Sequence, residues 1–300
     1  SFANQRFGVM QIVNPKAKQS TQPVASGARD QFSDTDMRAL TAFATSLGLA
    51  LSNLDLTRKL VADSLLKHDM EQAKTVQAAL LPDLRATDFA AGYSRPANEL
   101  SGDFYDYVDR DQRCAFCIGD VSGKGIAAAL MMTRMLTLFR HLVDNNQPLA
   151  GIVSTLNQAV LGNAAGQFVT CIVGTYDRGT DCGQLVNCGH IPAIWLSDES
   201  SIEFPAQLMP LGVAPLDRTD VVPVSFTLKH GWFVFLTDGV TETKLIDYKF
   251  NDAYFAAFFR QLSGQNAAEK TDAMTAIFAH SENPNHDDST VLVIARPRHA

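Results

Sequence analysis

The stretch that decides the fold is Ser101–Met132, SGDFYDYVDRDQRCAFCIGDVSGKGIAAALMM. Two apolar runs, 102–108 and 114–120, flank a polar turn from Asp109 to Arg113, which reads as an antiparallel hairpin. Centring the pairing on that turn places Asp103 opposite Asp120. Directly opposed side chains in a sheet stand ~4.5–5.5 Å apart, and like charges there are destabilising. Two facing carboxylates therefore need a reason. A cation bound between them is one. A shifted register with both acids in water, or a pair sharing one proton, are the others. Beyond Asp120 come glycines, a lysine and then the apolar spacing of a helix over 124–144.

Two further segments repeat the placement. GWFVFLTDGVTE (231–242) is an apolar strand that ends at Asp238, and NPNHDDSTVLVIAR (283–296) sets Asp287 and Asp288 just before the last strand. These sites offer carboxylate oxygens and no nearby cysteine, and oxygen ligation selects hard cations such as Mg²⁺ or Mn²⁺. Gly119, Gly123, Gly125 and Gly239 let the backbone turn tightly beside such ions. The loop GDVSGKG (119–125) shares glycines and a lysine with a nucleotide phosphate loop but fails its spacing. Three residues, not four, separate Gly119 from Gly123, and glycine follows the lysine. Lys124 is read as opening the helix or staying solvated, with a role toward an anionic substrate as the alternative.

The bulk numbers bound the rest. At 300 residues the chain is long enough for one large domain or two ordinary ones. Hydrophobic residues make up 46% and charged residues 19%, which fits a folded globular chain. A net charge of −7 argues against nucleic acid as a partner. No apolar run reaches the ~18 residues of a membrane span, so none is expected. Ser1 opens on a strand-like run without a leader pattern, and the missing methionine suggests sequence upstream. Cys114, Cys117, Cys171, Cys182 and Cys188 form an odd set in mostly apolar runs, which suggests reduced thiols in a cytoplasmic protein. Cys114 and Cys117, three apart in a strand, point to opposite faces and are read as buried thiols, with a redox or zinc role as the alternative.

The N-terminal part differs in character. RFGVMQIVN (6–14) reads as a strand, and Ser33 with Asp36 forms a capping box. Met37, Leu40, Ala44, Leu47, Leu51 and Leu54 then follow the alternating three-four spacing of a coiled-coil seam. The pattern loosens near Lys59–Asp63 and returns, with no proline before Pro82. One continuous helix from Asp34 to Leu81 would run about 70 Å. Such a helix is read as a linker pairing with a second copy, and two helices broken near Lys59–Asp63 are the alternative. From Arg85 onward, strands fit 88–95, 102–108, 114–120, 168–176, 184–188, 192–196, 231–237 and 289–295, and helices fit 124–144, 148–162, 252–263 and 266–280. That is an α+β domain.

In order, SGDFYDY, IGDVSGKGIAAALMM, FVTCIVGTYD, NCGHIPAIWL, MPLGV, FLTDGVTE and HDDSTVLVI resemble the PPM-type metal-dependent serine/threonine phosphatases of the bacterial SpoIIE/RsbU-like branch, over 72–296. EQAKTVQAALLP (71–82) resembles the segment leading into such domains, and FGVMQIVN with FSDTDMRALTAFATSLGLALSN resembles the end of a GAF sensor domain. The resemblance implies 1–58 as the C-terminal part of a GAF-like domain, 59–84 as a linker helix and 85–300 as the phosphatase. It implies a sandwich of two antiparallel sheets flanked by helices, and two Mn²⁺ or Mg²⁺ ions. Residue by residue, it implies Asp103, Asp120, the Val121 carbonyl, Asp238 and Asp287 as ligands, with Asp288 the runner-up for the last place. Ser101 stands where the family has glycine. The resemblance further implies in-line attack on phosphorus by a water that the ions activate. His190 is read first as structural and second as a proton donor, while His286 beside Asp287 is read as supporting that acid or as exposed. The implied substrate is phosphoserine or phosphothreonine on a STAS-type regulatory protein in a partner-switching pathway. The expected assembly is a homodimer through Met37, Leu40, Leu47, Leu51 and Leu54. A catalytically silent interaction module, and a two-metal cyclase or transferase, are the competing readings.

Overall fold

A computed structural model describes residues 9–11, 34–82, 89–110, 112–163, 166–197, 200–227, 231–241, 252–279 and 287–296. The chain divides into two compact units, 1–69 and 70–300, and the division falls inside the segment read as a linker. Of the expected strand over Arg6–Asn14, only Val9–Gln11 are described, and they carry no strand. Of the segment read as GAF-like, residues 1–8 and 12–33, Ser33 among them, lie outside the described residues.

Helix α1 (Asp34–Ala78) spans 45 residues and passes through Lys59–Asp63 without a break. In the chain by itself, Met37, Leu47, Leu51 and Leu54 are exposed along it and Leu40 is half-buried. Between Arg38 and Asp55 it carries no charged residue. By length and composition alone, α1 and α2 (Ile126–Asp144) are apolar enough to cross a membrane, which corrects the expectation that no segment reaches that length. Helix α2 buries Met132, Met135, Leu136 and Phe139 in the core, and the core helix of a soluble protein passes the same test, so this is weak evidence for a span.

The unit 70–300 holds strands β1 (Ala90–Arg95), β2 (Phe104–Arg110) and β3 (Arg113–Val121), then α2 and α3 (Leu149–Val160). Strands β4 (Val169–Asp177), β5 (Cys182–Cys188), β6 (Ala193–Leu196), β7 (Ser201–Phe204), β8 (Val224–Thr227) and β9 (Gly231–Leu236) follow. Short α4 (Asp238–Thr241), α5 (Asp252–Gln261), α6 (Ala267–Ala279) and β10 (Ser289–Arg296) complete it. One sheet has the order β1-β10-β9-β6-β7 and the other β2-β3-β4-β5-β8, each paired antiparallel throughout. Strands β7 and β8, absent from the sequence reading, are four-residue edge strands, too short for alternation to stand out.

Alternation along each strand makes the layers. On β3, Cys114, Phe116 and Ile118 face the second sheet, where Phe233, Phe235, Leu292 and Ile294 meet them. Ala115 and Cys117 face the other way, onto Met132, Met135, Phe139 and Ile152 of α2 and α3. Phe255, Phe259 and Met274 of α5 and α6 cover the outer face of the β9–β10 sheet. The result is helix, sheet, sheet, helix. Gly174 of β4 leaves room for Phe116, because a Cβ there would stand 2.2 Å from the ring's Cζ. All five cysteines are free thiols, and Cys114 and Cys117 lie on opposite faces of β3.

Candidate active site

The hairpin forms in the register read from the sequence. Phe104 pairs with Gly119 and Tyr105 with Ile118, so Asp103 and Asp120 stand at the next position. Strand β10 pairs with β9, Val291 with Leu236, and the Thr237 amide donates to Thr290 O at 3.0 Å. The ends of β9 and β10 therefore carry Asp238 and the Asp287–Asp288 pair side by side. Thr237 joins the two sheets at this edge, its hydroxyl donating to Asp103 Oδ2 at 2.7 Å. All the singled-out acids thus gather at one edge of the sandwich.

Their environments differ. Asp103 is buried, and burial first, then the charge of Asp120, pushes its carboxyl well above the usual range. Asp120 is half-buried, and burial with the charges of Asp238, Asp287 and Asp288 pushes it up to about 7. Like-charged carboxylates held together in a partly dry site raise each other in this way. A divalent cation reverses that logic by favouring the ionised form. Among the described residues, no three His, Cys, Asp or Glu side chains close into a group that holds an ion by themselves. The acids act on one another through space, and their donor chemistry is all oxygen, which fits Mg²⁺ or Mn²⁺. Gly102 keeps the centre open, since a Cβ there would stand 2.9 Å from the Val121 carbonyl and 3.3 Å from Asp120 Oδ1.

Asp287 and Asp288 face different partners. Asp288 accepts from the Ala97 amide (2.7 Å), the Ser101 hydroxyl (2.8 Å) and the Gly102 amide (2.9 Å). Asp287 accepts the Asp288 amide at 3.0 Å and lies 3.3 Å from Lys124 Nζ. Gly239 has no room for a side chain, because a Cβ would collide with the Asp288 carbonyl. Ser101 uses its hydroxyl twice, donating to Asp288 and accepting the Asp103 amide at 3.0 Å. The serine that departs from the family glycine thus ties two acids together.

His190 has both ring nitrogens engaged, Nδ1 with the Thr170 hydroxyl and Nε2 with the Leu236 carbonyl, each at 2.9 Å. Nε2 carries the proton, because a carbonyl only accepts, and Nδ1 then accepts from Thr170. Burial lowers its pKa to about 4, which favours a neutral ring bonded at both nitrogens. His286 lies outside the described residues.

Two supports escaped the sequence reading. Gln77, the one buried residue of α1, donates to Ser101 O (2.8 Å) and accepts from Ser101 N (3.0 Å), gripping the backbone before Asp103. Buried Asp106 pairs with Arg140 of α2 at 2.5 Å, and Arg140 also donates to Leu80 O at 2.6 Å. A glutamine in a helix gives no signal of a partner 24 residues on. The second acid of GDFYD had a signal, since an aspartate inside an apolar strand needs a cation.

The profile of the Stage II sporulation protein E (SpoIIE) family matches residues 110–297. Phosphoserine phosphatase RsbU of Bacillus subtilis (strain 168) is 27% identical over 240 residues, covering 77% of this chain and 71% of RsbU. Among solved structures, the SiaA-PP2C domain of Pseudomonas aeruginosa matches with a TM-score of 0.68 at 21% identity, over 78% of this chain and 98% of that one. RsbX in complex with magnesium matches at 0.53 and 15%, over 68% of this chain and 92% of that one.

Proposed function

The chain belongs to the SpoIIE family, and from that premise we propose that its strand-end aspartates hold two Mg²⁺ or Mn²⁺ ions for the hydrolysis of phosphoserine or phosphothreonine on a regulatory protein. It is a PP2C-type serine/threonine phosphatase of a metal-dependent family acting in partner-switching signalling. Asp103, Asp120, Asp238, Asp287 and the Val121 carbonyl are the proposed ligands. The observation that carries this is the set of carboxylates at one sandwich edge, with Asp120 pushed up to about 7 by burial and its neighbours. Bound ions there supply Lewis-acid stabilisation of phosphoryl oxygens and a nucleophilic water at neutral pH.

The chain's own residues set the geometry. Thr237 fixes the rotamer of Asp103. Asp288, with both oxygens engaged, braces the backbone at Ala97 and Gly102 and leaves Asp287 to the ion. His190, neutral and doubly bonded, holds the two sheets in register beneath Asp238. The proposed substrate is a phosphorylated STAS-type protein, by analogy with RsbU, which bears the name phosphoserine phosphatase. The free thiols fit a cytoplasmic, reducing compartment.

The test is hydrolysis of p-nitrophenyl phosphate with Mn²⁺, Mg²⁺ or EDTA, alongside Mn²⁺ uptake by calorimetry. Wild type is expected to bind Mn²⁺ and turn over only with metal. Asp120→Asn is expected to lose at least about a hundredfold in turnover, as loss of a group that stabilises transition-state charge does. Metal-independent turnover, or an Asp120→Asn variant as active as wild type, overturns the assignment.

A further inference from the structure

Lys124 belongs to the same edge, and the proposed roles of the acids give it no work. It lies on the turn between β3 and α2, between Gly123 (φ 94°) and Gly125 (φ 76°). Both glycines adopt backbone conformations that other residues rarely take. The turn is tied to the segment leading into β4: the Ser122 amide donates to Phe168 O at 2.9 Å, the Phe168 amide to the Ser122 hydroxyl at 2.9 Å, and Gln167 Nε2 to Ser122 O at 3.2 Å. The lysine thus springs from a fixed point and reaches another element, placing Nζ 3.3 Å from Asp287 Oδ1. The two side chains are 58% and 42% exposed. An ion pair this open to solvent adds little stability. The stability of this ion pair does not account for a cation beside Asp287, and chemistry gives a better account.

An ion ligated by Asp287 and an ammonium beside the same carboxylate are like charges competing for one partner. A phosphoryl dianion arriving at the edge brings the opposite charge to the same place. Resting on the two-ion reading above, we propose that Lys124 is a transferable counter-cation: it neutralises Asp287 before an ion binds there and, once the ion holds Asp287, turns to a phosphoryl oxygen of the substrate phosphoserine. Lysine suits this work, with a compact charge on a flexible stem and three rotatable donors. The consequence is a split that no purely structural residue produces. Removing the ammonium strengthens metal binding and weakens phosphoester binding.

The experiment uses the full chain as wild type, Lys124→Gln and Lys124→Arg, with Mn²⁺ titrated by calorimetry and p-nitrophenyl phosphate hydrolysed at saturating Mn²⁺. Lys124→Gln is expected to bind Mn²⁺ about two- to fivefold more tightly, the scale of a half-exposed ion pair. Its KM is expected to rise about tenfold with a smaller change in kcat, and Lys124→Arg to recover most of the KM. Thermal melts of the three proteins within about 2 °C show that the fold is intact, because an exposed substitution of this kind costs little. If Lys124→Gln binds Mn²⁺ no more tightly than wild type, or keeps the wild-type KM, the inference is overturned alone. If wild type itself neither takes up Mn²⁺ nor turns over the ester, the reading of the whole site falls and the inference falls with it.

Discussion

Asp287 and Asp288 are adjacent, chemically identical and placed in different surroundings. Three donors converge on Asp288, from residues 186 to 191 positions away in sequence. Its removal strands the Ala97 and Gly102 amides and frees Ser101. Asp287 gains one amide and one half-exposed lysine, and it stands among other negative charges. Asp288→Ala is therefore expected to lower unfolding free energy by about 2–4 kcal/mol, the scale of several charge-assisted bonds lost together. Asp287→Ala is expected to stay within about 1 kcal/mol of wild type, because the lost ion pair is weak and a like charge goes with it. In Mn²⁺ titrations the order reverses, with Asp287→Ala losing the stronger response. Urea unfolding and calorimetry on the two variants decide it, and equal unfolding midpoints would remove the proposed division of labour. Sequence alone ranked the two only through family resemblance, since nothing local reports donors so far along the chain.

At the scale of elements, the β2–β3 hairpin was legible because one polar turn and two apolar runs leave a single centre of symmetry, and the pairing of Phe104 with Gly119 follows from it. The edge strands β7 and β8 were not legible. Each is four residues long, and their place is set by neighbours in the sheet rather than by a pattern of their own. Helix α1 is a third case, where the three-four spacing was visible and its purpose was not. Met37, Leu47, Leu51 and Leu54 stand 53%, 45%, 38% and 50% exposed in the chain by itself. A seam of this kind gains stability only against a second helix, as isolated helices are marginal in water. We propose that the partner is the same helix of a second copy. Leu47→Asp with Leu54→Asp buries two charges in such a seam, and the double variant is expected to run as a monomer in sedimentation velocity where wild type runs as a dimer. A wild-type monomer at tens of micromolar sinks the proposal. A monomeric variant with unchanged Mn²⁺-dependent turnover keeps the dimer and removes any coupling between it and the site.

For the molecule as a whole, two sheets must stay in register for acids from both to share one edge. The sequence told little of this. The neighbours β1 and β10 come from opposite ends of the unit, and single side chains bond across from one sheet to the other. Thr237 is one such bond, and His190 is another, spanning Thr170 of β4 and Leu236 of β9. Burial lowers the His190 pKa from 6.5 to about 4, so the unfolded chain takes up a proton that the folded chain refuses. Its contribution is complete above pH 6.5, declines as pH falls toward 4, and amounts to about 3 kcal/mol over that window. Asp120 has the opposite sign. Raised from 3.8 to about 7, it binds its proton in the folded state first, so its term strengthens folding as pH falls from 7 to 3.8. The two slopes oppose each other over almost the same range, and buried Asp103, raised as well, adds to the acid side, so metal-free wild type is expected to gain stability as pH falls from 7 to 4.5. His190→Gln keeps the acid term and loses the other, so its stability relative to wild type is expected to improve steadily as pH falls, by about 2–3 kcal/mol across that range. Urea unfolding of both proteins at four pH values in EDTA measures the difference directly. Parallel curves would mean that His190 is protonated in the folded state and does not brace the sheets as a neutral ring.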